Sequence, residues 1–452
     1  MLGGFRLIFS WRNILSASSL SPHIVGICWL CKNYERFNPL MKKNRLKVAV
    51  VALAASVSLV LTSCSSSSSD LFIASDLPLQ GGSADQSKST NNAINLLLKQ
   101  VGNKAGEFTI GFREYDNSTA AKGSWDDAQC AKNAQAHVAA KDEVAVMGTY
   151  NSGCAKIIVP VLNQDPDGPM IMVSNANTNP GLTKAWDPGE PEKYYPTGLR
   201  NYYRVVTTDD NQGNAAAEFA NSIGIKKVYV LNDRQTYGQG VARAFTAAAK
   251  KLGINVLSSG DAGEGWDDKA PNYEALFNKI KKLNPDMVYV GGIFDLNGGQ
   301  LVKDKVKYLG DNSKVKFMMP DGFTGYPDFL ALPEAQGAYL SFTGLSIDQF
   351  PKGGAAEKFQ ADYLAEYGEA PTSSFSVYGA AAAQVILAAI AASDGTRKSV
   401  FEALKTVVIP ASESVVGTEL KFDANGDILS KDITILIVKD SKETFEKKIT
   451  VN

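Results

Sequence analysis

The chain has 452 residues, 44% of them hydrophobic, and sets 46 Lys and Arg against 47 Asp and Glu. That balance argues against a nucleic-acid surface, and the length suits two lobes better than one average domain. With two histidines in the whole chain, a His-rich metal site is poorly supplied.

Taken in order, Met41, Lys42, Lys43, Arg45 and Lys47 precede the apolar run from Val48 to Leu61, and Thr62, Ser63 and Cys64 follow it. A basic, an apolar and a small-residue segment in that order make residues 41–63 a secretory signal, too short for a comfortable membrane span. Leu61, Thr62 and Ser63 before Cys64 resemble the lipobox of bacterial lipoproteins. The resemblance implies lipidation at Cys64 and anchorage on the outer face of the cell membrane, with the serine-rich residues 64–70 as a flexible tether. Residues 1–40 then read as an upstream extension, with Met41 the initiator; the Cys28/Cys31 pair within it lacks the second pair of a metal site. With Cys64 acylated, Cys130 and Cys154 form an even pair in an oxidising compartment, and a disulfide is expected. In the chain-entropy account it contributes roughly 3 kcal/mol.

LFIASDLPL from Leu71 reads as a strand, QGGSADQ leads to a helix around Asn91 to Gln100, and FTIGFREYDN alternates as a second strand. A helix from about Trp125 to Ala140 leads to the buried run EVAVM. The next helix, about Ala155 to Gln164, leads to PMIMV, and a surface insert from Ala185 to Asn201 precedes YYRVV. The alternation then restarts: Asp209 or Asp210 as N-cap of a helix, KKVYVLND, a helix ending at Gly253, INVLSSG, a helix from Tyr273 to Leu283, PDMVYVGG, a helix near Gly299 to Leu309, and VKFMMPDG. AYLSFTG, helices around Ala355 to Tyr367 and Ser376 to Ala392, and two strands around a turn at Asn425 and Gly426 complete it. DANGD lacks the acid spacing of a calcium loop and reads as a turn. No stretch after the signal is read as long and apolar enough to cross a membrane.

The fold class is therefore α/β, two doubly wound Rossmann-like lobes joined by a hinge. Residues 71–205 and 344–430 are assigned to one lobe, 206–343 to the other, and 431–452 to a C-terminal tail strand. GTYNSGC (148–154) and SNANTNPGLT (174–183) each follow a buried strand, at the carboxyl edge where such sheets bind ligands. Small and hydroxylic residues, with a helix N-terminus near Ser152, suit a carboxylate.

GTYNSGC, PMIMVSNANTNPGLT, YYRVVTTDDNQGNAAAEFA, VYVLNDRQTYGQGVARAF and MMPDGFTG, in this order, resemble the type I periplasmic binding proteins of branched-chain amino-acid ABC transporters. The resemblance implies that Ser152, Ala176, Asn177 and Thr178 hold a ligand carboxylate, that Tyr237 closes from the other lobe, and that Asp321 receives an ammonium. It also implies a disulfide from Cys130 into the loop at Cys154. The short QGGSADQ loop and Ile293 with Phe294 depart from the family pattern and leave the ligand's side chain open. The implied mechanism is hinge closure on a small zwitterion, a branched-chain or related amino acid, and delivery to an ABC permease, by a monomer without cofactor, metal or nucleic-acid partner. The alternatives are a binder of a short amide, urea or aromatic acid, a ligand sensor, or a surface enzyme. A sensor would need an attached transmembrane or signalling segment. An enzyme is poorly served, because His137, the one histidine beyond Cys64, falls inside a helix and supplies no general base at the crevice.

Overall fold

The computed structural model describes residues 69–451; the signal segment, Cys64 and the Cys28/Cys31 pair lie outside them. The first set of units is β1 (Leu71–Leu77), α1 (Ala84–Gln100), β2 (Phe108–Asp116), α2 (Asp127–Ala139), β3 (Glu143–Gly148), α3 (Ser152–Asn163), β4 (Ile171–Ser174) and β5 (Tyr202–Arg204). Its strands lie in the order β2-β1-β3-β4-β5, all parallel. β3 and β4 are buried at every position, which is why they read as unbroken apolar runs rather than alternating ones.

The second set is α4 (Asp209–Ser222), β6 (Lys227–Asn232), α5 (Thr236–Lys251), β7 (Asn255–Val256), α6 (Glu274–Leu283), β8 (Met287–Gly291), α7 (Gly298–Leu309), β9 (Lys316–Met319) and β10 (Tyr339–Phe342). Its parallel strands run β7-β6-β8-β9-β10, the same order as in the first sheet. Each sheet thus has a switch point, between β1 and β3 and between β6 and β8, where the loops part to leave a crevice. Helices α8 (Ala355–Tyr367), α9 (Ser374–Ala391) and α10 (Arg397–Leu404) return to the first sheet, and α9 packs on α1, β3 and β4.

The last strands, β11 (Asp432–Lys439) and β12 (Lys442–Thr450), add antiparallel to β10 in the second sheet. Residues 431–452 are thus not a single tail strand. The hairpin turn lies at Asp440 and Ser441, both with positive φ (50° and 57°), as a two-residue turn of this kind requires. Asn425 and Gly426 make only a tight loop with one bridge, Phe422 to Ile428. That loop is engaged elsewhere, because Asp427 accepts from the buried Arg204 (Nε–Oδ1 2.7 Å). Arg204 also donates to the carbonyls of Asn177 (3.1 Å) and Asn179 (2.9 Å), so it fixes the β4 loop to the Asp427 segment that leads from α10 into β11.

Three further differences have local causes. Helix α1 begins at Ala84 rather than near Asn91, because its first turns bury polar Gln86, Ser87 and Thr90 and so show no apolar period. The N-cap of α4 is Thr208, which puts Asp209 inside the helix. Helix α9 is long and apolar enough to cross a membrane, contrary to expectation, but most of it lies in the core.

His137 on α2 is fully buried between Glu143 (Nδ1–Oε1 2.5 Å) and Asp76 (Nε2–Oδ2 3.0 Å). Burial alone would lower its pKa, but the two carboxylates outweigh that and raise it to about 9. The imidazolium ties α2 to β1 and β3. Nearby, Cys130 and Cys154 are joined with Cα atoms 5.6 Å apart, which fixes α2 to α3.

Candidate functional site

Between the two switch points lies a narrow pocket. The first sheet contributes Tyr150, Asn151 and Ser152 from the β3–α3 loop and Ala176 after β4, with Phe375 at the start of α9. The second contributes Tyr237 on the first turn of α5, Ile293 after β8, and Asp321 with Gly322 after β9. Ser152, Ala176, Tyr237 and Asp321, four residues singled out in the sequence, thus line one cavity although they come from both sheets.

Asn177 and Thr178 do not line it. The Ser174 hydroxyl folds the loop by accepting from the N–H groups of Ala176 (3.1 Å) and Asn177 (2.8 Å), and the Asn177 side chain donates to Thr149 O (2.7 Å). Asn177 therefore holds the two loops together. Thr178 is buried with its hydroxyl unpartnered, and its carbonyl accepts from Asp209 N (2.8 Å).

On the first wall Ser152 opens α3, whose first N–H groups have no partner within the helix and carry its partial positive charge. The opposite wall is acidic. Asp321 is buried and accepts from the Tyr237 hydroxyl, Gln212 Nε2 (2.9 Å) and Thr343 Oγ1 (3.2 Å). Burial pushes its carboxyl above the usual range, against the pull of those three donors.

Asp209 lies one helical turn before Gln212, fully buried, with neither carboxylate oxygen hydrogen-bonded. Burial first and the neighbouring Asp321 second push its pKa well up. In the sequence Asp209 reads only as a helix cap, one of an Asp-Asp doublet separated from β5 by residues 205–208. Among the described residues neither Asp321 nor Asp209 has a Lys or Arg in salt-bridge contact. Two enclosed acids without a counter-ion must take up protons or admit a cation.

Apart from Asn151, whose Oδ1 is buried without a partner, the rest of the lining presents carbon. The Tyr150 hydroxyl is committed to Gln86 Oε1 and its ring packs edge-on to Phe375 (5.4 Å), so both present carbon to the cavity. Ile293 faces it as well, whereas Phe294 turns into a cluster with Phe323, Tyr326 and Phe329. The cavity thus has one polar end with opposite electrostatic walls and one short apolar end.

A sequence profile described as Periplasmic binding protein matches residues 71–443. An amino acid binding protein of Pseudomonas aeruginosa is 27% identical over 305 residues, covering 65% of this chain and 71% of its own. A Leu/Ile/Val/Thr-binding protein of Salmonella typhimurium is 27% identical over 276 residues, 61% of this chain and 68% of its own. Among solved structures, a leucine binding protein from Thermotoga maritima superposes with a TM-score of 0.71 at 22% identity, over 84% of this chain and 99% of that one. An R. palustris solute binding protein in complex with benzoate superposes with a TM-score of 0.68 at 18% identity, over 84% and 96%.

Proposed function

This chain belongs to the periplasmic binding protein family, in the type I branch of branched-chain amino-acid ABC importers, and on that premise we propose that it captures a small apolar amino acid by closing two lobes around it. The family is one of solute-binding proteins, not enzymes. The observation that carries the reading is the pairing of an uncovered helix N-terminus at Ser152 with the counter-ion-free carboxyl of Asp321 across one cavity, with Asp209 buried close enough to Asp321 to feel its charge. A zwitterion satisfies both walls at once. Its carboxylate meets Ser152 and the first turn of α3, and its ammonium meets Asp321 and the Tyr237 hydroxyl. Tyr150, Ile293 and Phe375 then bound the side chain. Contacts made to the second wall only when the lobes meet favour closure, and the ligand shifts that equilibrium by its preference for the closed form. Anchoring through a lipidated Cys64 and transfer to a permease complete the reading.

An aromatic acid, the kind of ligand held by the R. palustris protein, would satisfy the first wall and leave both carboxyls without a cation. The test is a thermal-shift screen of amino acids, amides and aromatic acids against the intact chain. A ligand at 100 times its dissociation constant adds about 2.7 kcal/mol, so L-leucine, L-isoleucine or L-valine should raise the midpoint clearly. Stabilisation by benzoate and by none of the amino acids would overturn the reading.

A further inference from the structure

Outside the pocket, one contact between the lobes has the form of a latch. Asp295 sits on the loop joining β8 to α7, and Phe294 beside it packs on Tyr326 (5.1 Å) and Phe329 (5.9 Å) of its own lobe. The loop is therefore presented on a rigid base. Across the crevice, Ser83 is the N-cap of α1, yet its side chain caps nothing in its own helix. Its hydroxyl instead donates to Asp295 Oδ2 (3.0 Å), which also accepts from Tyr326 (2.6 Å). The second oxygen, Oδ1, is buried without a partner and lies over Gly82, where an added Cβ would come within 2.5 Å of it. A carboxyl from one lobe thus lies at the N-terminus of a 17-residue helix of the other; burial pushes its pKa up, and the hydrogen bonds from Tyr326 and Ser83 and the helix dipole work against that by favouring negative charge.

We propose that Asp295 is a positioning residue for closure: docked on the first turn of α1, it favours the closed form without touching the ligand, and Gly82 is bare so that it can dock. The proposal rests on the hinge-closing reading above. In the open form Asp295 keeps Tyr326 and exchanges Ser83 and the helix terminus for water, so its effect falls on the open-to-closed equilibrium and on ligand release. The neighbouring contact of Gln86 Nε2 with Thr324 O (3.1 Å) aligns the same pair of elements.

The test measures the distance between spin labels at the exposed positions 132 and 282, on the full chain, first without ligand and then with L-leucine as probe. Asp295→Ala should lower the closed-to-open ratio about tenfold, as expected for a charge at a helix terminus with a charge-assisted hydrogen bond. Asp295→Asn, which keeps an acceptor, should lower it less. Gly82→Ala should open the lobes at least as far, and adding Asp295→Ala to it should bring no further opening. In the same variants leucine dissociation should quicken by the same factor, with association unchanged. A ratio within twofold of wild type in Asp295→Ala, or a larger closed fraction, overturns the proposal. If leucine does not bind the wild type, the amino-acid reading fails while the ligand-free distances still decide the role of Asp295.

Discussion

Replacing Asp321 by Asn tests the acidic wall with the least change of shape. The asparagine carbonyl can accept from Tyr237 and Gln212, as Asp321 Oδ1 does, and its amide can donate to Thr343 Oγ1, which lies 3.2 Å from Oδ2. Packing and hydrogen bonding survive, and only the charge goes. Two effects of opposite sign follow. The carboxyl is held above its usual pKa by burial, so the folded protein binds that proton more tightly than the unfolded chain. Such a group costs stability progressively as the pH rises from about 4 toward its folded pKa, and the neutral variant removes that slope. Ligand-free Asp321→Asn should therefore melt higher than wild type at neutral pH. Affinity for an ammonium ligand should fall by about 3 kcal/mol, roughly 140-fold, because one partner of a buried charge pair is gone. Ser152→Ala, which removes one hydroxyl from the opposite wall, should cost nearer 1 kcal/mol. Calorimetric titration with L-leucine and with isocaproate, its analogue without the ammonium, separates the cases. Wild-type affinity for leucine in Asp321→Asn, or equal losses for both ligands, would refute the assignment of the acidic wall.

Two stability predictions come from the first lobe. His137→Gln should destabilise by about 3 to 5 kcal/mol, because Asp76 and Glu143 would keep their burial and lose the imidazolium between them. Since the folded pKa is raised to about 9, that contribution is fully present below about 6.5 and is lost as the pH rises through 9. Urea unfolding of both proteins at several pH values should show their difference shrinking at the alkaline end; a difference constant with pH would count against an ionised histidine. Removing the Cys130–Cys154 bridge should lower stability by about 3 kcal/mol, seen as an earlier midpoint under reductant, and an unchanged midpoint would deny it that role.

What the sequence discloses depends on where each group's energetics are decided. β3 and β4 are legible because burial on both faces demands apolar runs, and the loops after them because only small and hydroxylic residues follow. Tyr237 and Asp321 were reachable through motif context. Side-chain direction within a turn was not: Asn177 and Thr178 stand beside Ala176 in sequence, and only the hydroxyl of Ser174 decides that they turn away from the cavity. Asp209 was hidden by its own likeness to an ordinary helix cap, since nothing local says that a helix start will be enclosed by another lobe. The Asn-Gly signal misplaced the hairpin for a related reason: the pull of Arg204 on Asp427 acts across 223 residues.

The three crossings between the sheets also fix the order in which the molecule can be finished. Neither lobe is one stretch of polypeptide. β1 to β5 emerge early, but α9, whose Val377, Ile386 and Ile390 are wholly buried, follows only after the entire second parallel sheet. A single hydrogen bond from Asn175 Nδ2 to Phe375 O (3.0 Å) closes a span of 200 residues. β10 in turn waits for β11 to cover its open edge. Contacts so remote in sequence raise the contact order, which places this topology among the slower folders.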